Sequence, residues 1–215
     1  MDHIIEGFKK LPTAAVSDAM DKIGMECACF GIKPLSRSYR IVARAYTLKY
    51  EPVEVNKGTV GDFIDDVSED QVIVIDNAGR LNCTVWGDIL TSVAHRRKIP
   101  GVVINGVCRD VAHSLQLELP IFSKGEYMRT GKDRVQLQAV NVPVSLSDIR
   151  VNPGDILVCD ADGVVVVPQE LEEKILALAT QIDEAEIKIR QDAEAGMSLV
   201  DARAKHKYHD LQKRE

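Results

Sequence analysis

Short apolar runs rich in β-branched residues, set apart by turn signals and helical stretches, constrain this chain more than any other feature. VIVID at 72–76 reads as a buried strand, and GVVING at 101–106, ILVCD at 156–160 and GVVVVP at 163–168 are of the same type. IVARAYTLK at 41–49 alternates well enough for a strand, LNCTVW at 81–86 predicts another, and VQLQAVNVPVSL at 135–146 is strand-like. Pro153-Gly154 and Asp162-Gly163 mark turns. Helical patterns lie between: 14–23, with Thr13 as an N-cap after Pro12; a stretch from Gly87-Asp88 with Ile89, Leu90, Val93 and Ala94 on one face, stopped by Pro100; and Val111 to Leu117, ending before Pro120. From Gln169 to about Ala195 the period is helical, with Leu171, Ile175, Leu178, Ile182 and Ile189 forming an apolar stripe. A helix that long suits a position across the sheet or across a neighbouring subunit. Strands mixed with helices indicate the α/β class.

Nothing divides the chain. It has no Ser/Gly-rich linker, no like-charge block and no repeat of 20 to 50 residues. The expectation is one domain over 1–215, with a C-terminal helical extension over about 169–215. The tetrapeptide Gly-Asp-Ile-Leu occurs at 87–90 and at 154–157, but its flanks differ, so the recurrence is coincidence rather than duplication.

Composition excludes several classes. With 215 residues, 45% hydrophobic and 28% charged, the chain is neither disordered nor collagen-like. Twenty-seven Lys and Arg against 33 Asp and Glu leave a net charge of −6, the wrong sign for a phosphate-backbone binder, so no nucleic-acid partner is expected. No apolar run reaches the roughly 18 to 20 residues of a membrane span. The opening MDHIIEGFKKLPTAAV lacks the apolar core of a signal peptide. The five cysteines are odd in number and none pairs as C-x-x-C, which argues for reduced thiols in a cytoplasmic protein rather than disulfides or structural zinc.

Two places carry chemistry. At Gly87-Asp88-Ile89-Leu90 a strand passes into a helix, where unpaired N–H groups and the helix dipole suit a carboxylate or phosphate. Equally, Asp88 could be an ordinary N-cap and Gly87 a turn residue. Arg109-Asp110 follows the strand GVVING. Arg offers a fixed cationic fork for a carboxylate or enolate oxygen, and Asp a hard oxygen ligand for a divalent cation. Adjacent side chains share a pocket only if the backbone turns there; otherwise the pair is a surface ion pair. Both places end predicted strands, where ligands of α/β sheets gather. Their spacing is D-x20-R-D.

That spacing, with GDIL at its start and GVVINGVCRDV around its end, resembles the class II pyruvate aldolases that cleave 4-hydroxy-4-methyl-2-oxoglutarate and 4-carboxy-4-hydroxy-2-oxoadipate. Their superfamily also holds the regulators of ribonuclease E activity. The similarity extends from AVSDAMDK through PGDILVCDADGVVVVP to the final helices. It implies an α-β-β-α sandwich of the swivelling type, assembled as trimers or hexamers with sites between subunits. It also implies that Asp110 binds Mg²⁺ or Mn²⁺ with waters completing the shell. Arg109 would contact the pyruvyl group and stabilise the enolate. The backbone of Gly87, Asp88, Ile89 and Leu90 would hold the substrate's carboxylate and keto end, and Asp88 would orient a water that moves the proton. An acid of the C-terminal helix, Glu186 or its neighbour Glu184, would reach an adjacent subunit's site. The implied function is metal-dependent cleavage of a small 4-hydroxy-2-oxo acid to pyruvate, with oxaloacetate decarboxylation alongside. The alternatives are a non-catalytic regulator that binds a ribonuclease, or a lyase for another oxo acid on the same fold. Members without the full acidic pattern lack aldolase activity, whereas this chain keeps Asp88, Arg109 and Asp110.

Other residues have plainer readings. His113 reads as a partly exposed helix residue. His206 and His209 lie in a charged tail. Cys108, though beside Arg109, has no evident base. Asp160 and Asp162 read as turn residues, and Trp86 either walls a pocket or fills the core.

Overall fold

A computed structural model describes residues 2–55 and 58–211, and residue 1, residues 56 and 57 and residues 212–215 lie outside the description. In chain order the strands are β1 (Lys33–Pro34), β2 (Ile41–Pro52), β3 (Gln71–Thr84), β4 (Val102–Val107), β5 (Ile121–Ser123), β6 (Val135–Val140), β7 (Val144–Leu146), β8 (Ile149–Val151), β9 (Ile156–Asp160) and β10 (Gly163–Val167). The helices are α1 (His3–Phe8), α2 (Thr13–Lys22), α3 (Asp88–Arg96), α4 (Val111–Gln116), α5 (Glu172–Glu194), α6 (Leu199–Lys205) and α7 (Tyr208–Leu211).

One eight-stranded sheet runs β1-β5-β4-β3-β2-β9-β10, with β6 also on β2; β7 and β8 form a separate hairpin. Strands β2, β3, β4 and β5 are mutually parallel, and β1, β6, β9 and β10 pair antiparallel. The sheet curls until β1 lies against β10. The period-two alternation then sorts the apolar side chains into three cores. Ala43 and Ala45, Val72 and Val74, Val103, Leu157 and Val164 point into the curl. Ile73, Ile75, Val102 and Ile104 point outward, beneath the layer that holds α3 and α4. Val158, Val165 and Val167 point outward on the other half, against Val16 and Ala19 of α2 and Ile175, Ala179 and Ile182 of α5. Helix, sheet, sheet, helix is thus the layering that the resemblance implies.

The long helix lies across the sheet, one of the two positions open to it, and its apolar stripe is buried at Ile175, Ile182 and Ile189. VIVID and LNCTVW are not two strands. They are one irregular strand, β3, whose register on β4 shifts between Asp76 and Arg80 and again before Thr84. Ala78 and Gly79 both take positive φ there, which lets the chain bulge and resume. The N-cap expected of Thr13 also changes. Thr13 is the first helical residue, and the capping carboxylate comes from Asp160 on β9, which accepts from Thr13 N at 2.8 Å and from its hydroxyl at 2.7 Å. Asp160 therefore ties α2 to the sheet as well as forming a turn with Asp162.

Candidate active site

Because β3 and β4 are parallel neighbours, their carboxyl ends emerge side by side. β3 leads through Val85-Trp86-Gly87 into α3, and β4 leads through Cys108-Arg109-Asp110 into α4. Two buried hydroxyls fasten the turns together. The Thr84 hydroxyl is within donating distance of both Trp86 O and Val107 O (2.9 Å each). Thr91 accepts from Trp86 Nε1 at 2.9 Å, donates to Gly87 O at 2.9 Å and lies 3.1 Å from Ser114 on α4. Arg109 N completes the splice by donating to Trp86 O at 3.0 Å. Trp86, 1% exposed, belongs to both of its proposed roles: it fills the core and walls the cleft.

Asp110 takes a left-handed conformation, φ 57° and ψ 39°. Asp tolerates it better than most residues. The turn brings adjacent side chains to one place: Arg109 Nε and Asp110 Oδ2 are 3.2 Å apart, each side chain about a third exposed. Asp110 Oδ2 also accepts from Asp88 N at 3.1 Å, and Asp88 Oδ1 from Ile89 N at 2.8 Å. Gly87, not Asp88, occupies the N-cap position of α3, and Asp88 begins the helix. The N–H groups expected to meet a substrate carboxylate are thus already bonded to carboxylate oxygens. A bound carboxylate would have to displace them. Gly87 itself is there for closeness: a Cβ would lie 2.7 Å from Asp110 Oδ2 and 3.1 Å from Arg109 Nε.

The space around the cluster has two arms that meet at Arg109. A cleft of about 400 Å³ runs from Gly87, Asp88, Ile89, Leu90 and Arg109 to Asp62 and Asp65. A second recess of about 300 Å³ lies over Arg109, Asp110, Glu126 and Tyr127. Sequence reasoning missed both far walls. Residues 60–65 arrive from the β2–β3 connection. Glu126 and Tyr127 arrive because Cys108 exchanges backbone hydrogen bonds with residues 125 and 127, at 3.1 and 2.9 Å. Neither segment carries a local pattern that announces this.

Glu186 stands apart within the chain. It lies on α5, in the other helical layer, with Arg190 at 3.7 Å and Tyr208 Oη at 3.4 Å. Glu184 is on the same helix. Ser92 pairs with His113 Nε2 at 2.9 Å on the exposed side of α3 and α4. His206 pairs with Asp192 at 2.6 Å, and the side chain of His209 lies outside the described residues. Burial pushes the Cys108 thiol up to about 11, in spite of its hydrogen bond with Ser123, so it is no nucleophile. All five cysteines are free and buried.

Asp110 Oδ1 takes no hydrogen bond among the described residues, and no group of three or more His, Cys, Asp or Glu side chains there could enclose a metal. One carboxylate with an open oxygen at a wet cleft fits Mg²⁺ or Mn²⁺ held largely by water, and does not fit a closed zinc site. Among the described residues no helix is long and apolar enough to cross a membrane.

A family model described as RraA-like, Aldolase/RraA, matches residues 13–166. Protein DlpA of Legionella pneumophila is 37% identical over 97% of this chain, which spans about a third (34%) of that protein. A Halalkalibacterium halodurans protein, named provisionally a 4-hydroxy-4-methyl-2-oxoglutarate aldolase, is 35% identical over 81% of each chain. Among solved structures, an uncharacterized protein from Pseudomonas syringae pv. tomato superposes with a TM-score of 0.88 at 38% identity, covering 94% of this chain and 98% of that one. Streptomyces coelicolor RraAS2, described as an unusual member of an RNase inhibitor family, shares the fold with a TM-score of 0.81 at 23% identity over 89% of this chain and 98% of that one.

Proposed function

This chain belongs to the RraA-like aldolase family, and from that membership we propose that it is a divalent-metal-dependent carbon–carbon lyase. It releases pyruvate from 4-hydroxy-2-oxo acids and decarboxylates oxaloacetate, since both reactions pass through the same enolate. The observation that carries the reading is the convergence of Gly87, Asp88, Arg109 and Asp110 where the two recesses meet. The name given to the Halalkalibacterium halodurans relative supports it.

Each residue has a derivable part. Arg109 presents a planar cationic guanidinium, so it neutralises a 2-oxo acid and the negative charge that grows on its keto oxygen. The start of α3 adds its dipole to the same anion. Asp110 would hold Mg²⁺ or Mn²⁺ through Oδ1, and the cation would supply Lewis-acid polarisation of the keto group. Asp88 lines the cleft with Oδ1 occupied by Ile89 N–H, which leaves Oδ2 to position a water that carries the proton. We place Glu186 at the site of a second copy, because its helix packs away from α3 and α4. Mixing inactive Arg109→Ala with inactive Glu186→Ala subunits would then restore part of the activity.

The test is pyruvate release from oxaloacetate and from 4-hydroxy-4-methyl-2-oxoglutarate, with Mg²⁺ or Mn²⁺ and after EDTA. Metal-dependent turnover, abolished by Arg109→Ala and by Asp110→Ala in folded protein, is expected. No turnover of either acid sinks the reading. Binding of a ribonuclease in its place would favour a non-catalytic regulator.

A further inference from the structure

The curl of the sheet has a mouth whose polar lining the proposed reaction does not use. On β3 and β4 the inward rows of Val72, Val74 and Val103 end in Asp76 and Asn105. The row of Phe122 on β5 ends in Lys124. Opposite them the β7–β8 hairpin brings Ser145 and Asp148, and Ser147, whose hydroxyl donates to Phe30 O at 2.6 Å, holds the rim. The recess they line has a volume of about 460 Å³. It lies on the inner side of β4, whereas Arg109 and Asp110 leave the end of that strand toward α3 and α4.

Its floor holds a polar atom without a partner. Asn105 is 4% exposed. Its Nδ2 donates to Asp76 Oδ1 at 3.1 Å and to Ser145 O at 2.9 Å, which fixes which way the amide points. Its Oδ1 then has no donor among the described residues. A buried acceptor left unpaired is costly, so it marks a place for a donor. The Lys124 ammonium likewise makes no hydrogen bond or ion pair among the described residues. Asn105 Oδ1 and Lys124 Nζ each lie 3.6 Å from the place a Cβ on Gly79 would take, so no more than twice that separates them. Asp76 already takes N–H bonds from Ala78, Asn105 and Ser145, while the Asp148 carboxylate stands exposed at the rim.

A ligand that satisfies this lining brings a donor to Asn105 Oδ1 and an anion to Lys124 within the span of a few bonds. A simple anion would meet the carboxylates of Asp76 and Asp148, and a simple amine would meet the Lys124 ammonium. A zwitterion avoids both conflicts: its ammonium faces Asn105 Oδ1 on the acidic side, and its carboxylate faces Lys124. We propose that the mouth of the curl is a binding site for a small α-amino acid, separate from the candidate active site and independent of the lyase reading. Barrel mouths and the carboxyl ends of parallel strands are where such ligands gather.

The experiment is isothermal titration calorimetry of the full chain with three probes. L-alanine carries both charges, isopropylamine has a methyl group in place of the carboxylate, and propionate lacks the ammonium. L-alanine is expected to bind with a Kd of about 1 mM or tighter, and each single-charge analogue at least about tenfold more weakly. Lys124→Met keeps the aliphatic stem and removes the ammonium, so it should weaken L-alanine at least about tenfold, the loss of one charged hydrogen bond. Arg109→Ala should leave L-alanine binding unchanged. Absence of L-alanine binding, or equal binding of either analogue, overturns the inference without any substitution. Wild-type affinity in Lys124→Met overturns it as well. Loss of L-alanine binding in Arg109→Ala would place the ligand in the cleft instead, which also overturns it.

Discussion

Replacing Gly87 by Ala separates the site from the fold. The backbone there is extended, φ −153° and ψ −164°, so alanine adopts it without strain. The added Cβ would lie 2.7 Å from Asp110 Oδ2, 3.1 Å from Arg109 Nε and 3.4 Å from Arg109 Cγ. Real carbon–oxygen contacts of this kind need at least about 3.0 Å, so the carboxylate must retreat by about 0.3 Å or more. That lengthens the bond from Asp88 N, now 3.1 Å, past a useful distance. Losing a half-exposed bond to a carboxylate costs about 1–2 kcal/mol. Removing a glycine from the unfolded chain returns about 0.4–1 kcal/mol. Net destabilisation stays near 1 kcal/mol, or about 2–4 °C in Tm for a chain of this size. Activity should suffer far more, because the two side chains proposed to meet the substrate and its metal have both moved. A drop in kcat/KM of about 10- to 100-fold is expected. Pyruvate release coupled to lactate dehydrogenase gives the rate, and calorimetry gives Tm. Wild-type turnover at an unchanged Tm would refute the placement of the reacting atoms beside Asp110. A fall in Tm beyond about 8 °C would show that Gly87 serves the fold instead.

Three further predictions follow from single contacts. Thr91→Val keeps the shape but strands the indole N–H of Trp86, whose acceptor is the Thr91 hydroxyl at 2.9 Å; a loss of about 2 kcal/mol, or about 4–8 °C in Tm, is expected, and Thr91→Ser should recover most of it. For Asp160, burial works to raise the carboxyl, but hydrogen bonds from Thr13 and Asp162 and the nearby Arg40 outweigh it and hold it below the ordinary aspartate range. A lowered folded pKa means stability that is present above the unfolded value and lost as pH falls through the folded one. Asp160→Ala should therefore cost about 1–2 kcal/mol at neutral pH and little once the wild-type carboxyl is protonated, as urea melts across the acid range would show. Burial pushes Cys27 and Cys108 up to about 11 and Cys29 up to about 12, so these thiols stay protonated at pH 8. Alkylation should be slow in the native protein and reach all five cysteines in urea; a fast native equivalent would contradict the burial.

What the sequence made legible is what periodicity can carry. GVVVVP and ILVCD are strands because β-branched residues alternate between two buried faces, and the α5 stripe is local as well. The joining of GDIL to Arg-Asp followed from reading both as ends of strands. Elements fixed by distant partners were not legible. Asp160 caps a helix 147 residues away in sequence. The β3 bulge depends on an alanine at positive φ, which no propensity favours. The far wall of the cleft is a loop placed by Gly61 packing under Leu90, where a Cβ would lie 3.2 Å from that side chain.

The adjacency of Arg109 and Asp110 shows how backbone and charge select one residue together. Neighbours at the end of a strand point to opposite faces, so a strand alone would send one of the two away from Gly87. The left-handed turn at Asp110 reverses that and returns both groups to within 3.2 Å of each other. A residue there must tolerate positive φ, carry an anion, and keep it short enough to reach Asp88 N at 3.1 Å. Glycine and asparagine satisfy the first condition without the charge. Glutamate carries the charge on a longer arm and pays the steric penalty of the turn. Aspartate alone meets all three, and its strain falls where the two strands deliver their ends.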